Sequence, residues 1–174
     1  MPAQERRSSA ATAAAATPKA PAKGRHWPEV QKAATRAEEL NALVERVRTW
    51  LDSGIEPHAI GVAARAARLA RDARDQLKAA GIPTVSLASQ GTKKAVRTGT
   101  MHGMKGLEFQ AVAVIGAEQG MVPAPAAVTS ASEDPLTNAQ DLQRERCLLF
   151  VACTRARDHL YVSYAGEPSP YLSG

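Results

Sequence analysis

The stretch T-M-H-G-M-K-G-L-E-F, residues 100–109, with the apolar run A-V-A-V-I at 111–115 directly behind it, decides how the chain is read. Gly103 and Gly106 let the backbone turn where a side chain would obstruct it. Lys105 and Glu108 set opposite charges a few residues apart, and His102 adds a ring that can donate, accept or stack. A loop of this composition is suited to pass close to a charged ligand and then enter a buried strand. The competing reading is a glycine-containing turn with Lys105 solvated.

Working outward, I-G-V-A-A at 60–64 reads as a buried strand ending at Arg65, where open α/β sheets place ligands. A helix to about residue 80 follows, with Leu69, Ala73 and Leu77 inward and Gly81 and Pro83 to stop it. Arg68 with Asp72, and Arg71 with Asp75, fall at i,i+4 spacing and read as ion pairs on a solvated face. Further upstream, Thr35-Arg36-Ala37-Glu38 has the form of a capping box. Leu40, Leu43, Val44, Val47 and Leu51 follow at helical spacing, with Gly54 at the stop.

Residues 85–87 and 95–98 read as short strands around a polar turn. Residues 120–134 read as an exposed loop, 138–156 as a helix, and the alternation of Leu160, Val162 and Tyr164 as a last strand. The order predicted is helix, strand, helix, strands, loop, strand, helix, strand. It implies an α/β fold with a mostly parallel sheet and helices on its faces.

At 174 residues and 44% apolar, the chain has room for one ordinary domain and a tail. The net charge of +5 and pI of about 9.5 would suggest an acidic partner. Residues 1–28, however, hold five basic groups against one acidic, so most of the excess belongs to that Ala/Ser/Pro-rich segment, read as a disordered tail. The domain proper is predicted over 29–174. Cys147 and Cys153 read as two reduced, buried thiols in a reducing cytoplasm, with no further ligands to complete a metal set. No apolar run approaches membrane-spanning length.

A second motif, R-E-R-C-L-L-F-V-A-C-T-R-A-R, occupies 144–157. A helix ending there would present Arg155 and Arg157 beyond an apolar body, and arginine is suited to multi-donor contact with phosphate. Helix-end charges complementing the dipole are the alternative, favoured more for Arg157, which has Asp158 beside it.

Together the two motifs resemble motifs V and VI of UvrD/Rep-type superfamily 1 DNA helicases, patterned T-x-H-x-x-K-G-L-E-F and V-A-x-T-R-A. The resemblance extends over about residues 40–164, with departures at Arg144 and Cys147. It implies a RecA-like second motor domain that contacts ATP and single-stranded DNA. On it, Arg155 would be the catalytic arginine finger, Gly106, Glu108 and Lys105 would join Arg155 around the nucleotide, and Thr100 and His102 would line the DNA track.

The sequence carries no G-x-x-x-x-G-K-[ST], so ATP and Mg²⁺ would need a P-loop half or a full helicase as partner. Alone, the chain is expected to bind ATP weakly or not at all and not to hydrolyse it, with exposed apolar surface beside Arg155 and Glu108. The alternative is a non-catalytic DNA-binding or regulatory module with a degenerate helicase fold.

Overall fold

The computed structural model describes residues 26–89 and 92–173. Six parallel strands form one sheet in the order β1-β6-β5-β2-β4-β3. They are β1 (Glu29–Ala33), β2 (Ile60–Ala64), β3 (Thr84–Ser86), β4 (Val96–Thr100), β5 (Phe109–Ile115) and β6 (Ala156–Ala165). Three helices cover it: α1 (Arg36–Asp52), α2 (Ala67–Ala79) and α3 (Pro135–Thr154).

The central strands are buried on both faces, as continuous apolar runs require. Along β5, Ala111, Ala113 and Ile115 face α1 and α2, packing with Leu43, Val47, Leu69 and Leu77. Val112 and Val114 face the other way, toward Met101, Met104, Leu149 and Ala152 on the α3 side. The two-residue period thus sorts one strand between two cores. A Cβ on Gly61 would stand 2.8 Å from the Phe109 ring, so only glycine lets that ring lie on the start of β2.

The threonine half of the capping box at α1 is present, Thr35 Oγ1 accepting from the Glu38 amide at 3.1 Å, while the Glu38 carboxylate accepts from the Ala34 amide at 3.0 Å, one residue before the cap. Its core face includes Trp50, while Leu40 and Leu51 are only half-buried.

Several expectations are corrected. The fold begins with β1, an exposed edge strand beside β6, rather than with a helix. Residues 26–28, assigned to the tail, are held: the His26 amide donates to the Asp158 carbonyl at 2.9 Å and its ring stacks on His159 with centroids 4.2 Å apart. The remainder of the proposed tail, 1–25, lies outside the described residues.

Helix α3 starts earlier than expected because Asp134 caps it, accepting from the Leu136 and Thr137 amides, with Pro135 in the first turn. It stops at Thr154, and β6 runs for ten residues. The loop at 120–134 is anchored by Val122, which is fully buried. Neither Arg68–Asp72 nor Arg71–Asp75 closes to ion-pair distance; Arg74 approaches Asp75 at 3.9 Å instead. Cys147 is exposed rather than buried, and Cys153 is half-buried.

Candidate functional site

The 100–109 motif is the connection between β4 and β5, two parallel strands separated by β2. Parallel strands joined this way force the chain back from one sheet edge to the other. Thr100 sits level with Ala64, and therefore with Ile115, at the C-terminal edge. Phe109 pairs with Ala156 at the N-terminal edge. Six residues at about 3.3 Å each separate those levels, or about 20 Å. The motif's candidate residues therefore do not form one cluster.

At the C-terminal edge, Thr100 Oγ1 accepts from the Gly103 amide at 3.4 Å and caps a short 3₁₀ turn, Met101–Met104. Met101 and Met104 plug into the α3-side core, which leaves His102 exposed. Arg65, at the end of β2, forms a two-pronged ion pair with Glu145 of α3, with nitrogen–oxygen distances of 2.8 Å to each carboxylate oxygen. Glu145 also accepts from the Ala124 amide at 2.9 Å.

Burial alone would raise the Glu145 carboxyl. The Arg65 hydrogen bonds, the Ala124 amide and the positive charge of Arg65 and His102 outweigh burial and hold it below its usual range. Arg65 was a sequence candidate, whereas its carboxylate partner lies 80 residues away and no local pattern pairs them.

Lys105 and Gly106 lie exposed along the crossing. Gly106 has φ of +78°, and nothing lies within 4 Å of where a Cβ would be, so the backbone there is both left-handed and open to approach. At the N-terminal edge, Glu108 is exposed beside Arg155, because the Phe109 amide donates to the Arg155 carbonyl at 2.9 Å. Arg155 caps α3: its Nε donates to the Val151 carbonyl at 3.1 Å and one terminal nitrogen to Thr154 Oγ1 at 3.4 Å. Phe150 (67% exposed) and Trp27 (53% exposed) line a groove of about 590 Å³ with Thr154 and Ala156, which flank Arg155.

A further buried cluster escaped the sequence reading. Glu39 is completely buried and accepts from the Gly116 amide at 2.8 Å, from Ser163 Oγ at 2.6 Å and from Arg36. Arg36 also pairs with Glu118, which accepts from the Ala165 amide at 2.8 Å. The cluster ties α1 to the ends of β5 and β6. Among the described residues, no group of three or more His, Cys, Asp and Glu could hold a metal ion, and no helix is long and apolar enough to cross a membrane.

This architecture matches a solved structure, the C-terminal domain of a possible DNA helicase from Lactobacillus plantarum WCFS1. The TM-score is 0.62 and the identity 19%, over 86% of this chain and 80% of that one, so the two share a fold. Residues 85–167 match the UvrD-like helicase C-terminal domain. The chain is 36% identical over 74 residues to the ATP-dependent DNA helicase PcrA of Staphylococcus aureus, covering 42% of this chain and 9% of that one. It is also 36% identical over 77 residues to the ATP-dependent DNA helicase UvrD2 of Mycobacterium bovis, covering 44% of this chain and 10% of that one. The matched stretch thus spans about a tenth of these relatives' own length.

Proposed function

We propose that the chain acts as the second motor half of an ATP-dependent DNA helicase, with single-stranded DNA at the C-terminal edge of the sheet and nucleotide at the N-terminal edge. The observation that supports this most is the 100–109 crossing itself. It carries Thr100 and His102 at one end and Glu108, held beside Arg155, at the other. One short segment then touches both ligands, which is what a motor that converts phosphate chemistry into movement along a strand needs.

The residues suit a nucleotide. Arg155 has two of its five N–H donors engaged, so three remain for a phosphate. Exchanging its Val151 and Thr154 bonds for phosphate contacts trades about 1 kcal/mol per bond for stronger charge-assisted ones. The open backbone at Gly106 admits a sugar, Glu108 offers a carboxylate to its hydroxyls, and Lys105 supports the phosphates or the loop. ATP with Mg²⁺ supplies the transferable phosphoryl group, and a P-loop half, whichever polypeptide carries it, supplies the seat for both.

The test is phosphate release by the chain mixed with a P-loop motor domain, with and without single-stranded DNA. An arginine finger is worth about 10³–10⁵ in kcat. Arg155→Ala should therefore abolish DNA-stimulated hydrolysis while leaving DNA affinity unchanged. Hydrolysis that survives Arg155→Ala would refute the finger, and absence of any DNA binding would refute the motor reading.

A further inference from the structure

Residues 26–28 form a short strap beside the start of β6, and the motor reading leaves it without a role. Two fastenings hold it. The His26 amide donates to the Asp158 carbonyl at 2.9 Å, and the His26 ring lies on His159 with centroids 4.2 Å apart and planes inclined by 16°. Trp50 of α1 stands against His159 in turn, at 6.4 Å between centroids. The strap separates a cavity of about 470 Å³ on the α1 side from the groove of about 590 Å³ on the α3 side, and His26, Trp27 and Leu160 line both.

Its position matters because Asp158 lies three residues beyond Arg155, whose own carbonyl accepts from the Phe109 amide. The turn that carries Arg155 is therefore fastened by β5 at one end and by the strap at the other. Two stacked imidazoles share one proton readily. A second places like charges on rings 4.2 Å apart, which even at the dielectric of bulk water disfavours it by about fivefold.

The neighbouring charges do not cancel that repulsion. On β6, the Asp158 carboxylate favours a charged His159, but Arg157 approaches it at 3.6 Å. On α1, Arg46 opposes the charge, and it is itself paired with Glu29 of β1. Burial pushes up both the Tyr161 phenol and, to about 11, the Cys153 thiol of α3, so neither carries charge in acid. Burial and the His26 ring together hold His159 below its usual range. The contribution of the stack is thus complete above the unfolded histidine value of about 6.5 and is lost as pH falls through the lower folded value.

We propose that the His26–His159 stack is an acid-opened latch that sets how firmly Arg155 is held at the nucleotide edge of the sheet. The inference rests on the motor reading for the role of Arg155 and adds a means of regulating it. Closed, the strap braces the turn from Arg155 to Asp158. Double protonation parts the rings, frees the His26 amide, joins the two cavities and leaves Arg155 braced from β5 alone.

The test follows amide hydrogen exchange of the full chain by NMR at pH 7.5 and pH 5.0, with each rate corrected for its intrinsic pH dependence. The His26 amide should lose at least about fivefold of its protection at the lower pH. The Ala117 amide, bonded to the Ser163 carbonyl, should keep its own. His26→Phe retains a flat ring and removes one charge, so position 26 should stay protected in acid; His159→Phe, made in parallel, should do the same. DNA-stimulated hydrolysis is then measured with a P-loop motor domain at both pH values. The rate of the unmodified chain relative to His26→Phe should be near one at pH 7.5 and fall severalfold at pH 5.0.

Equal protection at both pH values, or a loss that neither variant prevents, would overturn the latch and leave the motor reading standing. Protection lost with an unchanged rate ratio would overturn its hold on Arg155. Absence of DNA-stimulated hydrolysis at both pH values would overturn the motor reading and the regulatory role with it, whatever the His26 amide shows.

Discussion

Replacing Glu39 with alanine should be among the most destabilising single changes in the domain. The carboxylate is completely buried and satisfies three donors from three parts of the chain: Arg36 on α1, the Gly116 amide after β5 and Ser163 Oγ on β6. Truncation leaves the Gly116 and Ser163 donors buried without a partner, at about 1–3 kcal/mol each. Arg36 retains Glu118, so the charge term is softened rather than lost. The total comes to about 2–6 kcal/mol, a large share of a typical domain stability of about 5–15 kcal/mol.

Urea denaturation followed by circular dichroism would measure it. Exposed Glu38, one residue earlier, serves as the control, and its alanine variant should cost about 1 kcal/mol through the lost cap bond. A Glu39→Ala variant within 1 kcal/mol of the unmodified chain would refute the claim that this cluster fastens α1 to the sheet.

Gly116→Ala should cost more than Gly54→Ala: both have positive φ, but a Cβ at Gly116 would stand 2.4 Å from Leu69 Cδ2, whereas Gly54 faces open space. Comparing the two urea midpoints checks this, and equal losses would mean that Leu69 moves aside freely. The Glu145 carboxyl is held below its usual range in the fold, so the unfolded chain binds the proton more readily. Its contribution is complete above the unfolded carboxylate value of about 4.3 and is lost as pH falls through the lower folded value. Glu145→Gln should therefore flatten the acid limb of a stability–pH curve, and an unchanged limb would contradict the Arg65 assignment. At pH 8 a maleimide should label one thiol, Cys147, in the folded chain and both in urea, as mass spectrometry would read; prompt double labelling of the folded chain would contradict the burial of Cys153.

How far the sequence could be read depended on the range of the interactions involved. Strands β2 and β5 were legible because burial on both faces leaves an uninterrupted apolar run, and their bounds match the expectation to within two residues. β1 was not, because E-V-Q-K-A is an edge strand with four of its five residues exposed, and only pairing with β6 makes it a strand. The start of α3 was available in Asp134-Pro135, a cap followed by a first-turn proline, but the preceding Ser- and Pro-rich loop obscured it.

The crossing motif was found from its glycines and charges, yet its division between two sheet edges needed the strand order. Glu39 and Glu145 escaped for a shared reason. A charged residue in a helix reads as solvated, or as paired only along its own helix as Glu39 is with Arg36, and the sheet partners that bury these two, the Gly116 amide and Arg65, lie 77 and 80 residues away.

The 100–109 connection has almost no slack. Four residues in a 3₁₀ turn rise about 8 Å and the remaining five steps extend about 16 Å, giving a reach of about 24 Å. The gap to be bridged combines the 20 Å along the strands with two strand spacings of about 4.8 Å sideways, or about 22 Å. A tether this taut cannot absorb a shift of more than a few ångströms at His102. Anything larger must unwind the 3₁₀ turn, pull Met101 or Met104 out of the core, or drag the start of β5, and the carbonyl of Arg155 bonded to it, in the same direction.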